Sequence, residues 1–328
     1  MNAEKPVKPL FSVIIPTFNR AGLLAGALES LLQQTLEAHA FEIIVVDNRS
    51  TDGTRALVEN MAAACAPHTI RYRYEAQPGG GVSRRAGAAI ARADWVAYMD
   101  DDGQASAGWL QNAAQILEAK PDLDGMGGPI HPFYLAERPQ WFKDEYEIRA
   151  YGEQPRLLER DEAFSGANML FSRTLLEKVS TAMNGLGMVG EMMQFGEDTI
   201  IFEQAWTLPG RPQFYYHPEL VMYHAVPARN MDVGYILRRQ FTIGAGNFRR
   251  VGPRGCVPRV GYILHHSGSL LKLATRMLLA RPRAAVRENW LVEWGAPVAK
   301  KLGLLSAALG LRIQFRQRQQ PPAEARHG

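Results

Sequence analysis

The sequence predicts a doubly wound α/β sheet, Rossmann-like and mostly parallel, with helices on both faces and a basic helical region behind it. Three observations carry this reading. Short β-rich runs alternate with helical stretches through the first hundred residues. The strand-like runs Val13-Ile14-Ile15 and Ile43-Ile44-Val45-Val46 are continuously apolar, as strands covered on both faces are. Charge is also divided unevenly: residues 1–228 hold 19 Lys/Arg against 29 Asp/Glu, and residues 229–328 hold 18 against 4.

The elements follow in order. A strand at Ser12–Pro16 leads into a helix whose apolar positions Leu23-Leu24, Leu28 and Leu31-Leu32 recur at helical spacing. A second strand runs from Glu42 to Asp47, then a helix from about Thr54 to Ala66, a strand from Ile70 to Glu75, a helix from about Val82 to Ala91, and a strand from Trp95 to Met99. From about Gly125 to Phe171 the chain is rich in Pro and aromatics (Pro129, Pro132, Phe133, Tyr134, Pro139, Trp141, Phe142), which suits a binding lobe with long loops. From about Asn230 apolar residues return at helical spacing (Val260, Ile263-Leu264, Leu270-Leu271, Ala274, Met277-Leu278, then Val298, Leu302, Leu305, Leu309) with basic residues among them. Residues 317–328 read as a disordered tail.

Composition excludes several classes. With 46% hydrophobic and 21% charged residues the chain is neither disordered nor fibrous. Cys65 and Cys256 form no C-x-x-C pair, which excludes a disulfide framework and a thiolate zinc knuckle and fits a reducing cytoplasm. No apolar run reaches the roughly 18 residues of a membrane span, and Glu4, Lys5 and Lys8 occupy the place of a secretory apolar segment. The expectation is a cytoplasmic protein that does not cross a membrane.

Ligands of such sheets bind beyond the carboxyl ends of the strands. Thr17-Phe18-Asn19-Arg20 follows the first strand, Asp47-Asn48-Arg49-Ser50 the second, and Asp100-Asp101-Asp102 the fourth. Thr17, Asn19 and Arg20 are therefore candidate ligand contacts. Three adjacent carboxylates repel one another, so a cation should relieve them. Oxygen donors select hard ions such as Mg²⁺ or Mn²⁺, which keep sites open for phosphate oxygens. The alternative is a solvated turn. Asp47 can accept from a base imide or a ribose hydroxyl, whereas Asp52 suits helix capping. Gly79-Gly80-Gly81 before Ser83-Arg84-Arg85 offers a turn and a helix start with guanidinium groups, Arg84 towards an anion and Arg85 towards solvent. Asp198, in Gly196-Glu197-Asp198-Thr199, reads either as a cap or as a general base. His224, after Leu220-Val221-Met222-Tyr223, reads as an ordinary histidine or as a metal ligand.

Taken together these segments resemble the family 2 glycosyltransferases of the GT-A fold. The matching pieces are Ser12 to Arg20, Val45 to Thr54, Tyr98 to Asp102, Gly166-Ala167-Asn168-Met169, Gly196 to Thr199 and Pro218 to His224, in the family's order over roughly residues 10 to 225. The resemblance implies an inverting transfer of sugar from a nucleotide diphospho-sugar. Asp100 and Asp102 would hold Mg²⁺ or Mn²⁺ as the D-x-D motif, with Asp101 beside them at the donor. Asp47 would bind the base, Thr17 would line its pocket, Asp198 would be the catalytic base, and His224 sits where some relatives complete the metal site. It implies a catalytic domain over 1–228, with a nucleotide-sugar half at about 10–125 and an acceptor half at about 125–228, ahead of the basic region at 229–316. Two departures stand out. Ser83-Arg84-Arg85-Ala86-Gly87 replaces the frequent A-R-N-x-G, and Asp47-Asn48-Arg49-Ser50 replaces D-D-G-S and loses the second carboxylate.

No Q-x-x-R-W segment occurs, so addition of a single sugar is expected, with UDP as the donor nucleotide and a glycan or lipid-linked glycan as acceptor, in polysaccharide biosynthesis. The basic tail calls for a polyanion. Its amphipathic pattern, with Lys272, Arg276, Arg281, Arg283, Arg287, Lys300 and Lys301, suits either an anionic inner membrane face, ahead of nucleic acid, or a helical subdomain that packs on the catalytic body and turns its charges to solvent. Two rival readings are a nucleotidyltransferase on a similar sheet and a nonenzymatic glycan- or polyanion-binding protein.

Overall fold

A computed structural model describes residues 8–160, 162–179, 197–253, 255–281 and 286–315. The tail expected to be disordered, 317–328, lies outside them. The described residues form two compact units, one ending at residue 228 and one beginning at 229.

In the first unit β1 (Phe11–Thr17), β2 (Phe41–Asp47), β3 (Ile70–Tyr74) and β4 (Trp95–Tyr98) form a parallel block in the order β3-β2-β1-β4. Alternate side chains leave it on opposite faces. Val13, Ile15, Ile43 and Val45 pack with α1 (Ala21–Leu32), α2 (Thr54–Ala64) and α4 (Trp109–Ala119); Ile14, Ile44 and Val46 pack on the other side with α3 (Gly80–Ile90), α5 (Arg173–Val179) and α6 (Glu197–Ala205). Burial on both faces is why these strands carry no polar alternation.

Glu42 is the exception within β2. It is fully buried and accepts from Ser12 Oγ (2.7 Å), Arg92 N (2.7 Å), Arg92 Nε (2.8 Å) and Arg71 Nη1 (2.9 Å). Burial alone would raise its pKa, but these donors outweigh burial and hold it below the usual carboxylate range. The amino-terminal edge of the sheet is locked there, opposite the strand ends where ligands are expected.

Beyond β4 the expectation of a loop-rich lobe changes. The segment threads β6 (Gly125–Gly127), β8 (Arg156–Leu157) and β9 (Met169–Ser172) into the main sheet, which continues β4-β9-β6-β10-β8 with β10 at Phe214–Tyr216. β9 is antiparallel to both β4 and β6. Runs of two to four residues are too short to display a period, which is why they read as irregular. Helix α4, with Trp109, Leu110, Ala113, Ala114 and Ile116 buried, is an element beyond those expected from the sequence. A second sheet, β5-β11-β7, joins Gly103–Ala105, Met222–Val226 and Ile130–Tyr134. Its β11 runs antiparallel to β5, with His224 opposite Gly103.

Asn168, fully buried just before β9, joins these parts. Its Oδ1 accepts from Trp109 Nε1 (3.0 Å), and its Nδ2 donates to Leu220 O (2.7 Å) and Pro129 O (3.1 Å).

The second unit is helical: α7 (Val233–Val251), α8 (Cys256–Ala280) and α9 (Arg287–Ala308). Asp232 caps α7 by accepting from Tyr235 N at 2.8 Å. Helices α7 and α9 meet backbone to backbone. A Cβ at Gly244 would lie 1.8 Å from Lys300 O, and one at Gly303 would lie 1.8 Å from Phe241 O. Trp290 Nε1 donates to Met277 O at 2.8 Å and ties α9 to α8.

Replacing Asn168 by Ala leaves an indole N–H and two carbonyls without this partner inside the core. The expected cost is about 3 kcal/mol in urea unfolding at neutral pH; a loss under about 0.5 kcal/mol would show that the amide is not the tie described.

Candidate active site

The parallel strands end on one edge, and Thr17, Asp47, Tyr74 and Asp100 mark it. Thr17 lies opposite Asp47 and Asp47 opposite Tyr74, while Met99 N donates to Ile14 O at 3.1 Å and carries the chain from β4 into the acidic turn. The three carboxylates there meet three different environments.

Asp101 faces inward, 5% exposed, with Thr17 Oγ1 donating to Oδ2 (2.9 Å) and Arg20 Nη1 to Oδ1 (2.9 Å). Burial pushes its pKa up to about 6 against the pull of Arg20. Arg20 Nη1 also donates to Asp102 Oδ2 (3.0 Å), so one guanidinium brackets two carboxylates. Coulombic attraction to Asp101 outweighs burial and raises the Arg20 pKa still further. Asp100 is the most open of the three, its side chain 31% exposed, and accepts from Arg84 Nη2 at 2.7 Å.

The second sheet brings His224 to this turn. Ala225 N donates to Asp102 O at 2.9 Å, and the pairing of β11 with β5 sets the His224 Nε2 atom 3.2 Å from Asp102 Oδ1. Burial works to raise the Asp102 pKa and to lower that of His224. The mutual attraction of the two groups wins in both, leaving Asp102 well below the usual range and His224 above its own. Asp102 Oδ1 is buried and makes no well-aligned hydrogen bond.

Asp100, Asp102 and His224 each offer one ligand atom, all within 4.8 Å of one another. Two carboxylate oxygens and one imidazole fit an octahedral divalent ion, and the nitrogen favours Mn²⁺ over Mg²⁺. The buried, unsatisfied Oδ1 of Asp102 is the atom such an ion would satisfy.

A family model described as glycosyl transferase family 2 matches residues 12–180, just over half of the chain. The chain belongs to glycosyl transferase family 2. Among curated family relatives it is 25% identical over 304 residues to succinoglycan biosynthesis protein ExoM of Rhizobium meliloti, covering 88% of this chain and 90% of that one. It is 26% identical over 193 residues to the glucosyl-dolichyl phosphate glucuronosyltransferase of Haloferax volcanii, covering 55% and 58%. The chain spans only 24% to 58% of the length of three curated relatives that it matches. Among solved structures, mannosyltransferase PcManGT from Pyrobaculum calidifontis, in complex with GDP-Man and Mn²⁺, superposes with a TM-score of 0.58 at 21% identity over 93% of this chain and 88% of that one. The shared fold is GT-A.

Within this family 2 framework the remaining candidates take definite positions. Asp47 is buried. Its Oδ1 accepts from Ser50 N (2.7 Å) and its Oδ2 from Tyr72 Oη (2.7 Å), which fixes its rotamer. Asn19 stitches two loops: its N–H donates to Ser50 Oγ (2.9 Å) and its Oδ1 accepts from Thr51 N (2.7 Å). Both Asn19 (φ 52°) and Arg49 (φ 73°) are in the left-handed region, a conformation Asn tolerates and Arg adopts at a cost of about 1 kcal/mol or more. Asp52 does cap, accepting from Thr54 N and, across the loops, from Ala21 N, each at 3.1 Å.

Asn48, at the position of the lost second carboxylate, has a definite task. Its Nδ2 donates to Gln77 O (2.7 Å) and Glu75 O (3.2 Å), and its Oδ1 accepts from Gly79 N (2.8 Å). That amide shapes the turn into α3. A Cβ at Gly87 would lie 2.5 Å from Ile14 Cγ2, so glycine lets α3 settle onto the sheet with Arg84 reaching Asp100. Arg85 is half-buried where solvent was expected.

The structure therefore gathers Thr17, Arg20, Arg84, Asp100, Asp101, Asp102 and His224 into one network, with Asp47 and Asn19 along the same edge. Asp198 lies in the first turn of α6, and its side chain lies outside the described residues. Sequence reasoning missed Tyr72, although alternation in β3 pointed it to the same face as Ile70, and it missed Asn168 as a tie.

A charged His224 must lose its proton to bind a metal. Below its raised pKa, Mn²⁺ affinity should rise by up to about tenfold per pH unit and level off above it, with proton release visible by calorimetry in buffers of different ionisation enthalpy. The metal-free pair behaves oppositely. Its His224 contribution is complete below the unfolded value of 6.5 and is lost as pH rises through the folded one. Mn²⁺ binding without proton uptake or release between pH 6 and about 8 would remove His224 from the site.

Proposed function

We propose that this chain is an inverting, metal-dependent glycosyltransferase that moves one sugar from a nucleotide diphospho-sugar, with UDP as the nucleotide, to a hydroxyl of a glycan or lipid-linked glycan. The observation that carries the reading is the set Asp100, Asp102 and His224 at the carboxyl edge of the parallel strands in a family 2 chain. The chain bears 1–228 as its catalytic body, nucleotide half first and acceptor half second. It works in the cytoplasm, peripheral to the inner membrane face through its basic helical region, in polysaccharide assembly. The similarity to the glucosyl-dolichyl phosphate glucuronosyltransferase of Haloferax volcanii supports a lipid-linked acceptor.

The donor's base would rest against Asp47, whose carboxylate accepts an imide N–H while Tyr72 and Ser50 hold it in place. Thr17 forms the floor of that pocket and Arg84 offers a guanidinium to phosphate oxygens. Asp100, Asp102 and His224 would hold the divalent ion. When bound, such an ion would supply Lewis-acid neutralisation of the departing diphosphate. Arg20 and Asp101 brace the carboxylates so that ligand atoms are preorganised. Asp198 accepts the proton from the acceptor hydroxyl as it attacks the anomeric carbon from the face opposite the leaving group, which inverts the configuration.

Two experiments test this. Thermal shift against UDP-, GDP- and dTDP-sugars with Mn²⁺ should single out UDP-sugars, since binding to the native state raises its midpoint. Slow release of nucleoside diphosphate in that mixture supports the transferase; release of pyrophosphate from a nucleoside triphosphate supplied with a sugar 1-phosphate supports the nucleotidyltransferase; neither product supports the binding protein. For Asp198→Asn, kcat should fall at least about a thousandfold with the donor Kd within about twofold of wild type. Wild-type turnover, or a retained anomer in the product, would reject the assignment.

A further inference from the structure

Helix α8 is 25 residues long and, among the described residues, none of its side chains is buried. It nevertheless has a packed side. Arg259 donates to Ala308 O, His266 Nδ1 lies 2.9 Å from Lys301 Nζ, and Met277 O accepts from Trp290 Nε1, all within the same helical unit. On the opposite side Val257, Val260, Leu264, Leu271 and Leu278 recur every three, four or seven residues and so fall on one line, with Leu279 beside it. Leu264, Leu271, Leu278 and Leu279 are each 68–70% exposed. At 1.5 Å per residue this aliphatic line extends for about 33 Å. Between its larger members stand only small residues, Gly261, Gly268 and Thr275.

Charge indicates what covers it. Residues 256–280 contain no Asp or Glu; Lys272 and Arg276, both exposed, lie to one side of the aliphatic line, Arg281 follows the helix, and residues 229–328 as a whole hold 18 basic residues against 4 acidic. A second copy of this chain is a poor occupant. Any two-fold pairing of α8 with itself would bring the Lys272 and Arg276 of both helices to one seam with no carboxylate on either helix to answer them. No helix among the described residues is long and apolar enough to cross a membrane. An aliphatic line with a cationic flank matches instead the boundary between acyl chains and anionic headgroups.

We infer that α8 lies in the plane of an anionic lipid bilayer, with Leu264, Leu271, Leu278 and Leu279 below the headgroups and Lys272 and Arg276 among the lipid phosphates. This names the element responsible for the peripheral placement proposed above and does not depend on the donor chemistry.

The test is flotation of the full chain with vesicles of phosphatidylcholine, with and without phosphatidylglycerol. The chain should float with the anionic vesicles and bind pure phosphatidylcholine at least about tenfold more weakly. Leu264→Glu/Leu271→Glu/Leu278→Glu should lower partitioning by about 100-fold or more, since three inserted aliphatics are replaced by carboxylates. These side chains are already exposed, so far-UV circular dichroism, the thermal midpoint and donor hydrolysis should be unchanged. Lys272→Glu/Arg276→Glu provides a second route, expected to weaken binding to anionic vesicles about tenfold or more. Wild-type chain that fails to float, or variants that float as wild type does, overturns the inference. So does a wild-type dimer, seen by sedimentation, that the triple variant converts to monomers without any vesicle effect. Because flotation needs no sugar nucleotide, it can succeed or fail separately from the donor assays.

Discussion

Three adjacent carboxylates at the end of β4 cannot all be ionised in a partly dry site without cations, and the first unit is organised around supplying them. Arg20 comes from the turn after β1, Arg84 from α3 and His224 from β11. Sequence positions separated by up to about two hundred residues are thus committed to one turn. The second sheet has its purpose here, since pairing β11 with β5 is what brings an imidazole from late in the chain to Asp102. Partition of labour among the carboxylates follows from burial. Asp101 is spent on holding the turn, while Asp100 and Asp102 keep faces that a divalent ion can use.

The same economy shapes the edge where the nucleotide would rest. Asp47 is held by a tyrosine from β3 and a backbone amide from its own loop, Asn19 by the loop after β2, and Asp52 by the start of α1. Apart from the Ser50 amide bond, each bond crosses from one strand end to another. The strained φ values at Asn19 and Arg49 occur where this lattice is densest, and the surrounding bonds hold conformations that isolated peptides would avoid. Rigidity at this edge supports preorganisation, because a site that must stabilise developing charge loses less if its dipoles are already placed.

Much of this was legible in the sequence because buried parallel strands write themselves as apolar runs and because chemistry collects at their ends. The strands ending at Thr17, Asp47 and before Asp100 match the expected ones closely, and the residues after each lie along one strand-end edge. The short strands at 125–127, 156–157 and 214–216 were not legible, since fewer than four residues display no period. Glu42 shows a different failure: a charge inside an apolar run looks like noise until Ser12, Arg71 and Arg92 are seen converging on it. Helix α4 carried a readable pattern that went unread. The pair of hydrogen bonds from Arg20 to Asp101 and Asp102 depends on register between distant segments, which no local pattern records. In the helical unit, spacing gave the helices, while the backbone contact at Gly244 and Gly303 required three dimensions.

Asn48 has a consequence for how this chain differs from its kin. Its amide donates to two carbonyls and accepts from Gly79, so a carboxylate in its place would point oxygen at oxygen towards Glu75 and Gln77. Restoring the second acid of D-D-G-S would thus be a step towards the common pattern and away from this architecture. The substitution becomes tolerable only if the 75–79 turn is rebuilt with it, so that two segments far apart along the chain must drift in concert. Chimeras that graft either one alone inherit a broken joint.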